Sequence, residues 1–559
     1  MIMRKINLQI VLVILMMSMC SFVQGQDKNN FELSKNIEIY IDVLRQLNLN
    51  YADDINPGDL NKSAIDAMLA KLDPYTIYVP ESQIEDFELM TKGEYGGIGS
   101  LIQTQGEFVV ITEPYEGFPA QKAGLKPGDK IIEIDGEKAA EKNSSEISEK
   151  LKGTPGTSLV LTVQPFGDTI NKQVEIIREK VKIPNIPFSG MVTENVGYIA
   201  LTQFNPNAAA DVKKAFLKLQ SENKLNGIIL DLRGNGGGLL SEAVGIVNIF
   251  VPKGQTVVTT KGKLNENAQV HSTRNGAVDT KIPLVVLVND NSASASEIVA
   301  GAIQDLDRGV VIGERTFGKG LVQNVLPLPF NSKLKVTIAK YYIPSGRCIQ
   351  AIDYFHENGN KKAAKVPDSL ISAFKTKGGR TVFDGGGIEP DILAERKEFS
   401  QITADLFAGN YIFNYANRFV LDHAEILPAA EFQIDDSTFN DFKKFISGQD
   451  FDYLTETGAL IDELKQSTER EKYDEVLKEK LEELEKALNE EKKHDIDKYK
   501  DEIEDLLLVE IVSRYYYQRG KLEAALQSDP VTEQAVEVLN NPDEYASILT
   551  TSTSKTTEE

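Results

Sequence analysis

A chain of 559 residues, 41% of them hydrophobic and 26% charged, exceeds one compact core at about 150 residues per domain and reads as three or four water-soluble globular modules. Its net charge of −23 has the wrong sign for neutralising a phosphate backbone, so nucleic acid is not an expected partner. Two cysteines, Cys20 and Cys348, exclude a disulfide framework, and with no tryptophan in the chain indole stacking does not organise the fold either.

Residues 1–25 carry Arg4 and Lys5 before an apolar run from about Leu8 to Met19, with Val23 and Gly25 at the two small-residue positions of a cleavage site. This pattern predicts a secretory signal and an exported, periplasmic mature chain. No later run reaches the roughly 18 apolar residues that span a bilayer. A lipid anchor through Cys20 is disfavoured by Met19, which stands where such signals want a small residue. Over 26–94 the apolar residues recur at helical spacing (Ile37, Ile41, Leu44; Ile65, Met68, Leu69, Leu72) until Asp73-Pro74 stops the pattern, which predicts a helical N-terminal region. Over 95–180, glycines give way to alternating runs bounded by Pro127-Gly128, Asp135-Gly136 and Pro155-Gly156, as in a compact strand-rich domain. Over 181–395 continuous apolar strands such as GIILDL and IPLVVLVN alternate with helical stretches. That alternation predicts an α/β core with a buried sheet. Residues 396–549 are helical and charge-rich, with many Glu/Lys pairs four apart, and read as a solvated appendage; 550–559 read as a disordered tail.

Three segments place small and polar residues at the ends of buried strands. In GIILDLRGNGGG a strand runs through Asp231 and Arg233 into Gly234, Gly236, Gly237 and Gly238, a turn whose backbone N–H groups can hold an anion or an oxyanion. In NDNSASASE, Ser292, Ser294 and Ser296 precede a helix with Glu297 in its first turn. A serine there is either a helix cap or a nucleophile favoured by the helix dipole, and spacing does not choose among the three. In GERTFGKGLVQ, Gly313, Gly318 and Lys319 resemble a phosphate loop, but Gly320 replaces the magnesium-binding hydroxyl and an alternating run with Pro327 follows instead of a helix. Lys319 is better read as a base: flanked by Phe317 and glycines, it can lose hydration, which favours the neutral amine. Gln323 lies four residues on, on the same face of an extended strand. His271, His356, His423 and His494 have no nucleophile elbow or metal-ligand spacing near them, and Cys348 has no neighbouring histidine.

Together with YYIPSGRCIQ and GIEPDI, these motifs closely resemble the C-terminal processing peptidases, or tail-specific proteases, over about Glu32 to Ile392. The resemblance implies a crotonase-like serine peptidase core with an inserted PDZ domain at 95–180. By motif position it makes Ser294 the nucleophile, Lys319 the general base and Gln323 the residue that orients it. The oxyanion hole would use the N–H of Ala295 and of a glycine of the Gly236-Gly237 pair, taken as Gly237. Gly97, Ile98 and Gly99 of YGGIG would bind the carboxylate of protein or peptide substrates with free C-termini, the substrate adding a strand to the sheet. No metal, nucleotide or other cofactor is implied, and a homo-oligomer is open. A PDZ scaffold that binds tails without cutting is the alternative, and retention of Ser294, Lys319 and Gln323 together argues against it.

Overall fold

The computed structural model describes residues 30–84, 87, 93–140, 142–263, 268–354, 364–365, 371–395 and 397–550. The signal segment with Cys20, residue His356 and the tail beyond Thr550 lie outside the described residues. These residues form two units, one of residues up to Glu81 with Val325–Val336, the other of Ser82–Asn324 and Thr337 onward.

In the first unit, helix α1 (30–50) leaves Ile37 and Ile41 about half exposed, at 51% and 50%, although their spacing is that of a core stripe. Helix α2 (Pro57–Leu69) starts where the Asn56 side chain accepts from the N–H groups of Gly58 and Asp59, with Pro57 in the first turn. After the helix the chain turns at Asp73, whose carboxylate accepts from the N–H groups of Tyr75 and Thr76 at 2.8 Å. Strand β1 (Ile77–Val79) then pairs antiparallel with Lys333–Lys335.

The second unit opens with β2 (Glu94–Gly97), β3 (Ser100–Gln105), β4 (Phe108–Pro114), β5 (Lys130–Ile134), helix α3 (Ser144–Leu151), β6 (Ser158–Gln164), β7 (Lys172–Ile177) and β8 (Glu179–Lys182). Strands β3-β4-β5-β6-β7 form an antiparallel sheet with β3 at its edge, and β2 pairs with β8 where the chain enters and leaves. Val109, Ile111, Ile131 and Leu161 pack against Ile147 and Leu151 of α3. At Asp135-Gly136 both φ angles are positive, 52° and 81°, as a two-residue hairpin requires.

The core that follows comprises β9 (Phe188–Met191), β10 (Val196–Ala200), α4 (Ala208–Glu222), β11 (Gly227–Asp231), α5 (Leu240–Phe250), β12 (Leu284–Val288), α6 (Ala295–Asp305), β13 (Val310–Gly313), β14 (Leu321–Pro327) up to Asn324, β15 (Lys333–Tyr342) from Thr337 and β16 (Ile392–Leu393). The sheet order is β9-β10-β11-β12-β13-β16, parallel except for β9. Ile228, Leu230, Leu284 and Val286 face α4, α5 and α6 through Phe216, Val247, Phe250 and Val299. The intervening Ile229, Val285 and Leu287 face the opposite side. A strand buried on both faces loses the alternating pattern, which is why GIILD and LVVLV read as continuous apolar runs.

What covers that opposite side corrects the reading of 396–549 as a solvated appendage. Helices α7 (Gln401–Ala408), α8 (Tyr411–Asp422), α9 (Asp436–Ser447), α10 (Glu456–Glu471), α11 (Asp474–Lys492) and α12 (Lys500–Ala525) precede α13 (Pro530–Asn540) and α14 (Pro542–Thr550). The first group has its own core, including Leu406, Tyr415, Phe442, Leu507 and Ile511. Helix α13 lays Val531, Ala535, Val538 and Leu539 on Ile229, Val285 and Leu287. The heavy charge of α10 and α11 masks this i, i+4, i+7, i+8 stripe in the sequence. No helix among the described residues is long and apolar enough to cross a membrane.

Candidate active site

The three polar segments meet at the C-terminal edge of the parallel sheet, where ligands are taken up in open α/β folds. The structure separates the three serines. Ser292 and Ser296 are fully buried and act as clamps on the glycine turn: Ser292 Oγ donates to the Leu232 carbonyl at 2.8 Å, and Ser296 Oγ to the Asn235 carbonyl at 2.7 Å. Ser294 is only partly buried and sits just before α6 with φ 57° and ψ −112°. A non-glycine residue in that region is strained, and such strain is retained where the surroundings enforce it.

The glycine turn lies against this serine. A Cβ added to Gly237 would come within 2.8 Å of Ser294 Cβ and 2.9 Å of the Ala295 nitrogen, so only glycine lets the two loops approach so closely. Ala295 is the first residue of α6, where N–H groups have no helical partner. The Gly237 N–H donates to Asn235 Oδ1 at 2.9 Å, so Gly237 meets an oxyanion only by sharing or releasing that bond. Gly236, with open space where a Cβ would stand, is the other member of the pair.

Lys319 lies between β13 and β14. The segment after it is strand β14, not a helix, which removes the phosphate-loop alternative. Burial alternates here: Thr316 and Gly318 are buried and Phe317 is 48% exposed, so Phe317 is not the apolar wall that the sequence suggested for Lys319. Gln323, on β14, donates through Nε2 to Thr337 Oγ1 at 3.3 Å.

Two residues that sequence reasoning missed bind Ser294 and Lys319 together. The fully buried Glu297 carboxylate accepts four hydrogen bonds. Oε2 accepts from the Ser294 and Lys319 N–H groups, and Oε1 from Thr316 Oγ1 and the Gly318 N–H, all at 2.7 to 2.8 Å. Burial pushes the Glu297 carboxyl up to about 7, against the pull of those donors. Tyr341 Oη donates to the Ser294 carbonyl at 3.1 Å and also reaches the Lys319 carbonyl. Glu297 was legible only as a first-turn acid of α6, and Tyr341 only as an aromatic in a strand. Burial pushes the Cys348 thiol up, which disfavours the thiolate a nucleophile needs.

At the other candidate site, Ile98 is buried and its carbonyl accepts from the Ala120 N–H, while the Gly99 carbonyl accepts from Tyr115. Gly99 has φ 74°, and a Cβ there would stand 2.5 Å from Phe118 Cβ; one on Gly97 would stand 2.8 Å from the Tyr95 ring and 3.6 Å from the Leu151 carbonyl oxygen. The Gly97-Ile98-Gly99 loop leads directly into edge strand β3, and Ile98 packs with Ile147 and Leu151 of α3. An edge strand beside a helix is the arrangement to which an extended peptide adds.

Residues 195–354 match peptidase family S41, residues 110–165 match a PDZ domain, and residues 402–539 match the C-terminal helical domain of a probable PDZ-protease. A carboxy-terminal-processing protease of Bartonella bacilliformis is 34% identical over 353 residues, which cover 62% of this chain and 81% of that protein. A probable CtpA-like serine protease of Staphylococcus aureus is 36% identical over 337 residues, 60% of this chain and 64% of that protein. Among solved structures, a photosystem II D1 C-terminal processing protease is 31% identical, covering 58% of this chain and 85% of its own, with a TM-score of 0.34.

Proposed function

This chain belongs to the carboxy-terminal-processing proteases of peptidase family S41 and is a serine-type peptidase, and from that premise we propose that it is exported and cuts near protein C-termini with Ser294, Lys319 and Gln323. Ser294 Oγ attacks the scissile carbonyl carbon as the Lys319 amine takes its proton. The N–H of Ala295 and of a glycine in the Gly236-Gly237 pair meet the oxyanion that forms. Collapse expels the amine half of the substrate, which leaves with that proton. Water then repeats the exchange on the acyl-enzyme and frees the new carboxylate. Gln323 orients the lysine, and the Gly97-Ile98-Gly99 loop holds the substrate's terminal carboxylate.

The observation that carries this reading is the strained Ser294 backbone, wedged between Gly237 and the start of α6 and joined to Lys319 through Glu297. Export rests on the basic and apolar pattern of residues 1–25. The test is incubation of purified protein with an unstructured substrate carrying a C-terminal tag, products being read by mass. Cleavage by wild type and none by Ser294→Ala is expected. N-terminal sequencing of the exported chain should begin after Gly25.

A further inference from the structure

The oxyanion-side turn is anchored from far along the chain. Arg233 follows β11 by two residues and opens the glycine turn. Its guanidinium grips Asp231 of its own strand, with Nε 2.9 Å and Nη2 2.6 Å from Oδ2. The same group makes a two-bond fork with Asp529, Nη1 to Oδ1 at 3.0 Å and Nη2 to Oδ2 at 2.6 Å. Forked guanidinium–carboxylate pairs fix orientation as well as distance. Both side chains are largely buried, at 23% and 15% exposure. Tyr198 Oη completes the network by donating to Asp231 Oδ2 at 2.5 Å.

Asp529 is also held by its own helix. It caps α13, accepting from the Val531 N–H and Thr532 Oγ1. Helix α13 runs antiparallel along β11: Asp529 meets Arg233 at the strand's end, and Leu539 packs so tightly over its start that a Cβ on Gly227 would be 2.7 Å from Leu539 Cδ2. The turn beyond Arg233 needs such an anchor. Gly234, Gly237 and Gly238 have φ of 68°, 100° and 150°, and glycine gives up more conformational freedom on ordering than any other residue.

We infer that Asp529 is a positioning residue of the active site: through Arg233 it sets the geometry of the Gly234–Gly238 turn, which makes the C-terminal helical region part of the peptidase site. The inference rests on the proposed role of that turn in binding the oxyanion. It separates from a plain stabilising role because asparagine is as good a helix cap as aspartate: with its one oxygen toward Val531, Asp529→Asn keeps that cap bond of α13 and turns an amide NH2 toward Arg233 Nη2, which removes one limb of the fork.

The experiment uses the full chain, an unstructured peptide substrate and a peptide aldehyde that adds to the serine to form a tetrahedral adduct. In Asp529→Asn, kcat is expected to fall about ten- to a hundredfold, the scale of a small misplacement of catalytic groups. KM should stay within about twofold, and aldehyde affinity should fall by a factor like that of kcat, because both report binding of the tetrahedral state. Asp529→Glu, which restores a carboxylate, should recover most of the loss. A kcat within twofold of wild type, or a rise in KM with kcat unchanged, overturns the inference. Should Asp529→Asn not fold, Arg233→Lys, which keeps the charge and gives up the fork, carries the same expectation and the same refutation. Failure of the parent reading looks different: there wild type does not cleave, or Ser294→Ala still does.

Discussion

Ser294 and Lys319 donate their backbone N–H groups to one and the same oxygen, Oε2 of Glu297, at 2.8 Å each. One acceptor thus fixes the proposed nucleophile and base relative to each other, and it does so with no surface exposure. Glu297→Gln keeps the volume but turns an amide NH2 toward groups that are themselves donors. Each buried donor left unmet costs about 1–3 kcal/mol. The variant should fold less stably and lose at least tenfold in kcat with a smaller change in KM. Steady-state kinetics within twofold of wild type would remove Glu297 from the account.

The same carboxylate sets a pH window. Its folded value of about 7 lies above the ordinary 4.5, so between those values the folded chain holds a proton that the unfolded chain releases. Stability from this group therefore falls as pH rises from about 4.5 to about 7 and is flat above, by on the order of 3 kcal/mol at most. The four donors around it, by contrast, suit only the ionised form. Activity should climb across this window as Glu297 ionises, while unfolding free energy, compared with Glu297→Gln, declines. Denaturant titrations at pH 5 and pH 8 check the sign; a wild-type advantage that grows with pH would reverse it.

The three serines should separate by stability and activity. Ser292→Ala and Ser296→Ala each remove a buried donor to the glycine turn and should destabilise by about 1–3 kcal/mol. Ser294→Gly should be inactive yet more stable than Ser294→Ala, because glycine adopts φ 57° without strain. Thermal unfolding of the four variants measures this, and a Ser294→Gly less stable than Ser294→Ala would mean that the backbone there is not strained.

Recognition of a free C-terminus at Gly97-Ile98-Gly99 can be read on the full-length Ser294→Ala chain, which binds without cutting. A charge-assisted bond is roughly twice as strong as a neutral one, so an apolar peptide with a free carboxylate should bind more tightly than its amide. Gly97→Ala places its methyl 2.8 Å from the Tyr95 ring and should weaken binding of the acid without unfolding the chain. Equal calorimetric affinities for acid and amide would leave this module without a role in reading C-termini.

Much of this was legible in the sequence because strands buried on both faces announce themselves as apolar runs, and the small polar segments that end them, at Asp231, Ser294 and Lys319, interrupt that pattern. Partners distant in sequence were not legible. Glu297 reads as a first-turn acid like many others, and its four donors come from segments up to 22 residues away. Arg233 and Asp529 are 296 residues apart, so nothing local in either segment marks the pair. The buried face of α13 was hidden by the charge of its neighbours, and the exposure of Phe317 depends on the in-out alternation set by Thr316 and Gly318.

The central claim, that Ser294 is the nucleophile and Lys319 its base, is tested most directly by a serine-reactive fluorophosphonate located by peptide mass mapping. One adduct is expected, on Ser294, formed by wild type, absent from Ser294→Ala and formed far more slowly by Lys319→Ala, with cleavage lost to a similar extent in both variants and in their double mutant. An adduct on Ser292 or Ser296, or cleavage by Ser294→Ala at a rate near wild type, would contradict it.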